Sequence, residues 1–117
     1  FAFYGGLGLE LYVQGDLEVD GHHTVEDIGI VLGQAMKEAL GDRKGIRRFA
    51  SAFIPMDEAL CFTALDFSNR PFLVFDAEMP QPMIGAYDSC LFKSLCVAVK
   101  EAVQITGTGV TSTKGVL

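Results

Sequence analysis

His22 and His23 stand side by side, three and four residues ahead of Glu26 and Asp27, in the run Asp20-Gly21-His22-His23-Thr24-Val25-Glu26-Asp27. Residues three and four apart meet on a helix surface, so His22 with Glu26, His23 with Asp27 and His23 with Glu26 can each share a face. Imidazole nitrogen and carboxylate oxygen together suit divalent metals such as Zn, Mn or Fe. His22, His23 and Glu26 are therefore candidate metal ligands, with Asp27 behind them orienting a ligand. The plainer reading is a solvated helix start, with Glu26 and Asp27 favoured by the positive end of the helix dipole. Spacing alone leaves both readings open.

The elements around this run read as follows. Leu7, Leu9, Leu11 and Val13 alternate, which predicts a strand, and Leu17–Val19 a short partner across the Gly15-Asp16 turn. Thr24, with Asp27 three residues on, suggests a capping box opening a helix that Gly41 stops. Strands are expected over Arg47–Ile54, broken by Pro55, then over Ala59–Phe67 and Phe72–Met79, closed by Pro80 and Pro82. Leu91–Val103 has helical spacing, and the Gly/Thr/Ser-rich tail from Thr106 has no period. The sum is an α+β fold, a two-layer arrangement with helices packed on one face of a mostly antiparallel sheet.

The chain has 117 residues, of which 50% are hydrophobic, and a mean hydropathy of +0.32. That is enough for one domain with its own core, spanning 1–117. No apolar run is long enough for a membrane helix, and no secretory leader pattern opens the chain. The formal charge of −6 argues against nucleic-acid binding through a general basic surface. It leaves room for a small anion held by a few convergent basic groups. Cys61, Cys90 and Cys96 lack disulfide-framework spacing and read as reduced thiols, with Cys90 and Cys96 buried in a helical run. Phe1, Phe3, Tyr4, Phe62, Phe67, Phe72 and Phe75 exceed what one small core hides, which points to oligomerisation. Gly5, Gly6 and Gly8 do not open a helix after a strand, so they are no dinucleotide fingerprint.

Further blocks carry a resemblance. They are Gly15–Ile30, Ala39–Phe49, Pro55-Met56-Asp57-Glu58-Ala59-Leu60, Asp66-Phe67-Ser68-Asn69-Arg70-Pro71 and Ser112-Thr113-Lys114-Gly115-Val116-Leu117. In this order they resemble the imidazoleglycerol-phosphate dehydratase family of histidine biosynthesis. The resemblance implies two similar half-domains and an assembly of 24 subunits built from trimers. It implies active sites between subunits, each with two Mn²⁺ ions held by His and Glu, and a cytoplasmic protein, or a stromal one in a plant. It makes His22, His23 and Glu26 metal ligands, and Arg48, Arg70, Ser112 and Lys114 ligands of the substrate phosphate. It places Asp57 and Lys93 near the substrate and makes them, with Glu26, the catalytic residues; Glu58 is the weaker neighbour and Arg47 a surface charge.

The family pattern also carries an extra segment before Phe1 and a second His-His-x-x-Glu motif. Here Gly85-Ala86-Tyr87-Asp88 runs straight into Ser89-Cys90-Leu91-Phe92-Lys93, the end of that second motif, with Ser89 in place of its Glu. The stretch near 87–90 is therefore read as a seam between parts of a longer chain, or as a true truncation. A rival reading is an inactive metal-binding or assembly fragment of the same family. A generic His/Glu metallohydrolase fits less well, since no His-Glu-x-x-His pairing is present.

Overall fold

A computed structural model of the chain describes residues 2–16, 18–57, 59–79 and 81–114, with side chains as far as Thr106. Expectations resting on Phe1, Leu17, Glu58, Pro80 and the terminal Gly115-Val116-Leu117 lie outside the described residues. The elements are α1 (Ala2–Gly5), α2 (His22–Leu40), β1 (Phe49–Met56), β2 (Ala59–Asp66), β3 (Phe72–Ala77), β4 (Met83–Ile84), β5 (Tyr87–Asp88), α3 (Leu91–Val103) and β6 (Thr106–Lys114). Four strands form one sheet in the order β1-β2-β6-β3, and β4 and β5 form a separate two-stranded ribbon. The expected α+β class holds.

β1 and β2 form an antiparallel hairpin from Phe49↔Asp66 to Met56↔Ala59, joined by a tight turn that begins at Asp57. Asp57 takes φ +49°, the left-handed backbone that tight hairpins demand and that Asp tolerates better than most residues. Pro55 does not break β1, contrary to the sequence reading; it pairs with Leu60. β1 is an edge strand, where a residue without an N–H costs no ladder bond if that side faces outward.

The larger departure is the tail. Thr106–Lys114 forms β6, antiparallel to β2 and parallel to β3, at the centre of the sheet. Its composition hides it, because Gly, Ser and Thr give no alternation of apolar and polar residues. Leu7–Val13, with perfect alternation, is no strand. It has no sheet partner, and Leu7, Leu9, Leu11 and Val13 are all exposed. Residues 11–15 instead run beside Thr24, Asp27, Ile28 and Val31 of α2.

α2 begins at His22, two residues before Thr24, so Thr24 and Asp27 form no capping box. Asp20 does the work at this end: its Oδ1 accepts the His22 N–H at 2.8 Å. Gly41 ends the helix at φ +52°, donating its N–H to the Glu38 carbonyl, as expected. α3 spans the predicted residues.

The two helices pack closely because glycine removes the side chains between them. A Cβ on Gly29 would lie 2.7 Å from Ala98 Cβ, and one on Gly33 would lie 2.6 Å from Ala102 Cβ. A Cβ on Gly21 would make only an ordinary contact, 3.5 Å from Leu91 Cδ1, at the near end of the seam. Contacts advance together along both chains, so α2 and α3 run parallel and their N-termini share one end of the molecule. Leu91, Ala98, Val103 and Ile105 are the buried apolar side chains among the described residues, all in or just after α3. α3 also covers β3, where Phe92 packs against Phe75 with ring centroids 6.0 Å apart. Phe3, Tyr4, Phe49, Phe53 and Phe72 remain exposed.

Candidate active site

At the start of α2, His22 Nε2 lies 2.9 Å from Glu26 Oε1, and both side chains are half-exposed. One helical turn separates them, so the pair follows directly from their spacing. The His23 ring stands edge-on to that of His22, with centroids 6.0 Å apart and planes at 81°. Asp27 is exposed on the wall that faces residues 11–15. An imidazole and a carboxylate on one face suit a divalent ion. Among the described residues, however, no three His, Cys, Asp or Glu side chains converge as a metal site needs.

Because the helices are parallel, the first turn of α3 sits beside this pair. Asp20, Gly21, Thr24 and Val25 share a cleft with Met83, Tyr87, Asp88 and Leu91. Ser89, just before α3, is buried, only 4% exposed. Cys90 is exposed, not buried as its apolar neighbours suggest, while Cys61 and Cys96 are half-buried. The Cys90 thiol is held above its usual range by its hydrogen bond to Asp88, with burial and the Asp88 charge adding to it. Burial alone raises Cys96.

Lys93 is exposed on α3 and faces a groove lined by Asp76, Ala77, Glu78 and Asp88. Ala77 pairs with Ser112, and Ala59 with Lys114. The side chains of Ser112 and Lys114 lie outside the described residues. Their backbone positions nevertheless put them at the end of the sheet that carries the Asp57 turn and the helix N-termini.

Arg48 and Arg70 lie at the opposite end. Arg48 flanks β1 at the open mouth of the hairpin, where Nε donates to Asp66 Oδ1 at 2.7 Å and Nη2 to Oδ2 at 3.2 Å. Its Cζ stands 4.8 Å above the Phe49 ring. The Asp66 carboxylate raises the already high Arg48 pKa, first through the hydrogen bond and then through its charge. Arg70 is exposed in the turn before β3, with its N–H on Ser68 Oγ and its carbonyl accepting from Thr106 Oγ1. Asp66 and Thr106 are paired across β2 and β6. From Thr106 to Ser112 along β6 is roughly 20 Å at ~3.3 Å per residue. One chain thus separates the four proposed phosphate ligands into two pairs.

Comparison with known proteins shows the family. A family model described as imidazoleglycerol-phosphate dehydratase matches residues 1–115. The chain belongs to the imidazoleglycerol-phosphate dehydratase family. It is 43% identical to the dehydratase of Carboxydothermus hydrogenoformans over 150 residues, covering 100% of this chain and 78% of that one. It is 53% identical to that of Acetivibrio thermocellus over 106 residues, covering 91% of this chain and 54% of the relative. The crystal structure of the Staphylococcus aureus dehydratase superposes with a TM-score of 0.87 at 36% identity, covering 98% of this chain and 64% of that one. The Pyrococcus furiosus enzyme, in complex with (S)-C348, gives 0.68 at 30% identity.

The family is one of hydro-lyases. The chain spans little more than half the length of several of these relatives. The first alignment is longer than the chain itself, so part of that relative has no counterpart among these residues. No described helix is long and apolar enough to cross a membrane.

Sequence reasoning missed Asp66 and Arg43 as residues that organise this region. Asp66 had a readable signal: counting back from a tight turn that begins at Asp57 brings it opposite Phe49, beside Arg48. Arg43 had none, because its partners are carbonyls 24 and 60 residues away.

Proposed function

We propose that this chain supplies one share of a composite active site that dehydrates imidazole glycerol phosphate to imidazole acetol phosphate. Family membership supports the reaction. The observation that carries the composite site is the separation of Arg48 and Arg70 from the Ser112 and Lys114 end. A single phosphate cannot touch both ends of one chain, so a second copy must bring the missing pair. The same reading makes the protein a homo-oligomer, 24 subunits from trimers as the family resemblance implies, and places it in the cytoplasm.

His22, His23 and Glu26 would hold Mn²⁺ at the helix end, with the two-ion site completed by residues of another segment or copy. The ions would supply Lewis-acid stabilisation of the negative charge that develops in the ring as water is lost. The chain's own groups do the positioning. Arg48 and Arg70 of one copy and Ser112 and Lys114 of another would hold the phosphate, which fixes the glycerol arm. The reaction takes a proton from one carbon of the arm and expels hydroxide from its neighbour. Glu26 and Asp57 would serve as carboxylates for proton transfer, and the Lys93 ammonium would offset the negative charge that develops on the substrate.

The test is turnover of imidazole glycerol phosphate with and without Mn²⁺, in the wild type and in His23→Ala. Mn-dependent turnover lost in the variant supports the reading; undiminished turnover in the variant rejects the ligand assignment. A second reading, an inactive metal-binding or assembly fragment, is favoured by the pairing of only His22 with Glu26. It predicts Mn²⁺ binding without turnover.

A further inference from the structure

We infer that Asp66 is a positioning residue that holds the Arg48 guanidinium ready to grip a phosphate monoester. This rests on the reading of Arg48 as a phosphate ligand. A guanidinium offers two forks of N–H donors. Asp66 takes the one formed by Nε and Nη2, at 2.7 and 3.2 Å, which leaves the Nη1 edge pointing away from the carboxylate. The Phe49 ring lies 4.8 Å below Cζ and fixes the plane of the group. Arg48 is 51% exposed, so its outer edge is open to an anion, whereas Asp66 is 21% exposed and set in the sheet.

Asp66 is well anchored for this task. It ends β2 between two neighbours, paired with Phe49 of β1 and with Thr106 of β6. The Phe67 N–H donates to the Arg48 carbonyl at 3.2 Å and closes the hairpin mouth. Thr106 in turn bonds the Arg70 carbonyl, so both arginines hang on one braced corner of the sheet.

A carboxylate beside an arginine has two opposed effects on a phosphate. It repels the anion, and it holds the donor in place. The repulsion acts across the width of the guanidinium, where water and salt screen it, whereas the orientation comes from two contact hydrogen bonds at 2.7 and 3.2 Å to a carboxylate only 21% exposed. Orientation therefore dominates, and loss of the Asp66 charge weakens binding.

The experiment titrates the full chain with inorganic phosphate by calorimetry, in Mn²⁺ buffer. Its variants are Asp66→Asn, Arg48→Lys, the double variant and Arg48→Gln, with melting temperatures in parallel. Asp66→Asn is expected to raise the phosphate Kd about fivefold, because its amide can accept only one of the two fork bonds. In Arg48→Lys, which has no fork, adding Asp66→Asn is expected to change nothing further. In turnover, Asp66→Asn is expected to raise KM by more than it lowers kcat. Phosphate binding equal to or tighter than wild type in Asp66→Asn, while Arg48→Gln binds weakly, overturns the proposal and leaves the function intact. Wild-type binding in Arg48→Gln overturns the phosphate role of Arg48 and this proposal with it. Should Asp66→Asn unfold, Asp66→Glu carries the same comparison, since it keeps the charge and displaces it by one methylene.

Discussion

Arg43 Nη2 donates to the Val103 carbonyl at 2.7 Å, while Nη1 donates to the Phe67 carbonyl at 3.3 Å. One guanidinium thus closes the C-terminal end of α3 and the loop after β2. Val103 is fully buried, and its carbonyl has no further helix turn to bond. A cation at a helix C-terminus also meets the negative end of the dipole. Arg43→Ala is expected to cost about 1.5–3 kcal/mol, read as a lower midpoint in urea at an unchanged slope. Arg43→Lys should recover only part of this, since one ammonium on a flexible stem does not span both carbonyls as a fork does.

The helix seam makes a second prediction. In Gly33→Ala the new methyl would sit 2.6 Å from Ala102 Cβ and 2.9 Å from the Val99 carbonyl. The backbone oxygen cannot swing aside, so the helices must part. The expected loss is about 1–3 kcal/mol, although alanine is the better helix former. Adding Ala102→Gly removes the methyl contact and leaves the carbonyl, so the double variant should regain some stability and not all. Thermal melts of the three proteins check it.

The parts legible in the sequence were those set by local chemistry. The α3 pattern Leu91, Phe92, Leu95, Cys96, Val99 and Val103 repeats at helical spacing and marks the element to the residue. The His22–Glu26 pairing follows from the helix period alone. What could not be read was pairing between distant segments. β6 is held in the centre of the sheet by ladders to β2 and β3, and nothing in Thr106–Lys114 itself announces a strand. Leu7–Val13 shows the converse, an alternating run that never finds an edge. The division of the four proposed phosphate ligands between two ends is of the same kind. It depends on the register of β6, and only the placement of Thr106 against Asp66 and of Ser112 against Cys61 reveals it.

Asp88 gives a pH signature. Its Oδ1 accepts the Cys90 N–H at 3.0 Å just before α3, and hydrogen bonds from Cys90 hold its carboxyl below the usual carboxylate range. A depressed folded-state pKa means the unfolded chain binds the proton more readily. The stabilisation is therefore present above the unfolded value of about 3.9 and is lost as pH falls through the lower folded value. Melting temperatures of wild type and Asp88→Asn are expected to differ most near neutral pH and to converge in acid. A gap that widens on acidification would contradict this sign.

The two-ended arrangement makes a prediction about mixtures. A chain with Arg70→Gln keeps the histidine end intact, and a chain with His23→Ala keeps the arginine end intact. If each site draws its arginines from one copy and its helix end from another, a mixed assembly contains sites where both contributions are wild type. Neither lesion lies where the other acts, since Arg70 and the start of α2 are at opposite ends of the chain. Each variant alone should turn over imidazole glycerol phosphate poorly. Co-refolding the two in equal amounts should then restore a sizeable share of wild-type turnover in Mn²⁺ buffer. Mixing Arg70→Gln with Arg48→Gln is the control, because both lesions fall at the same end and no site escapes both. Equal recovery in the two mixtures would refute a site shared between copies, since it would mean that recovery does not depend on which end is damaged.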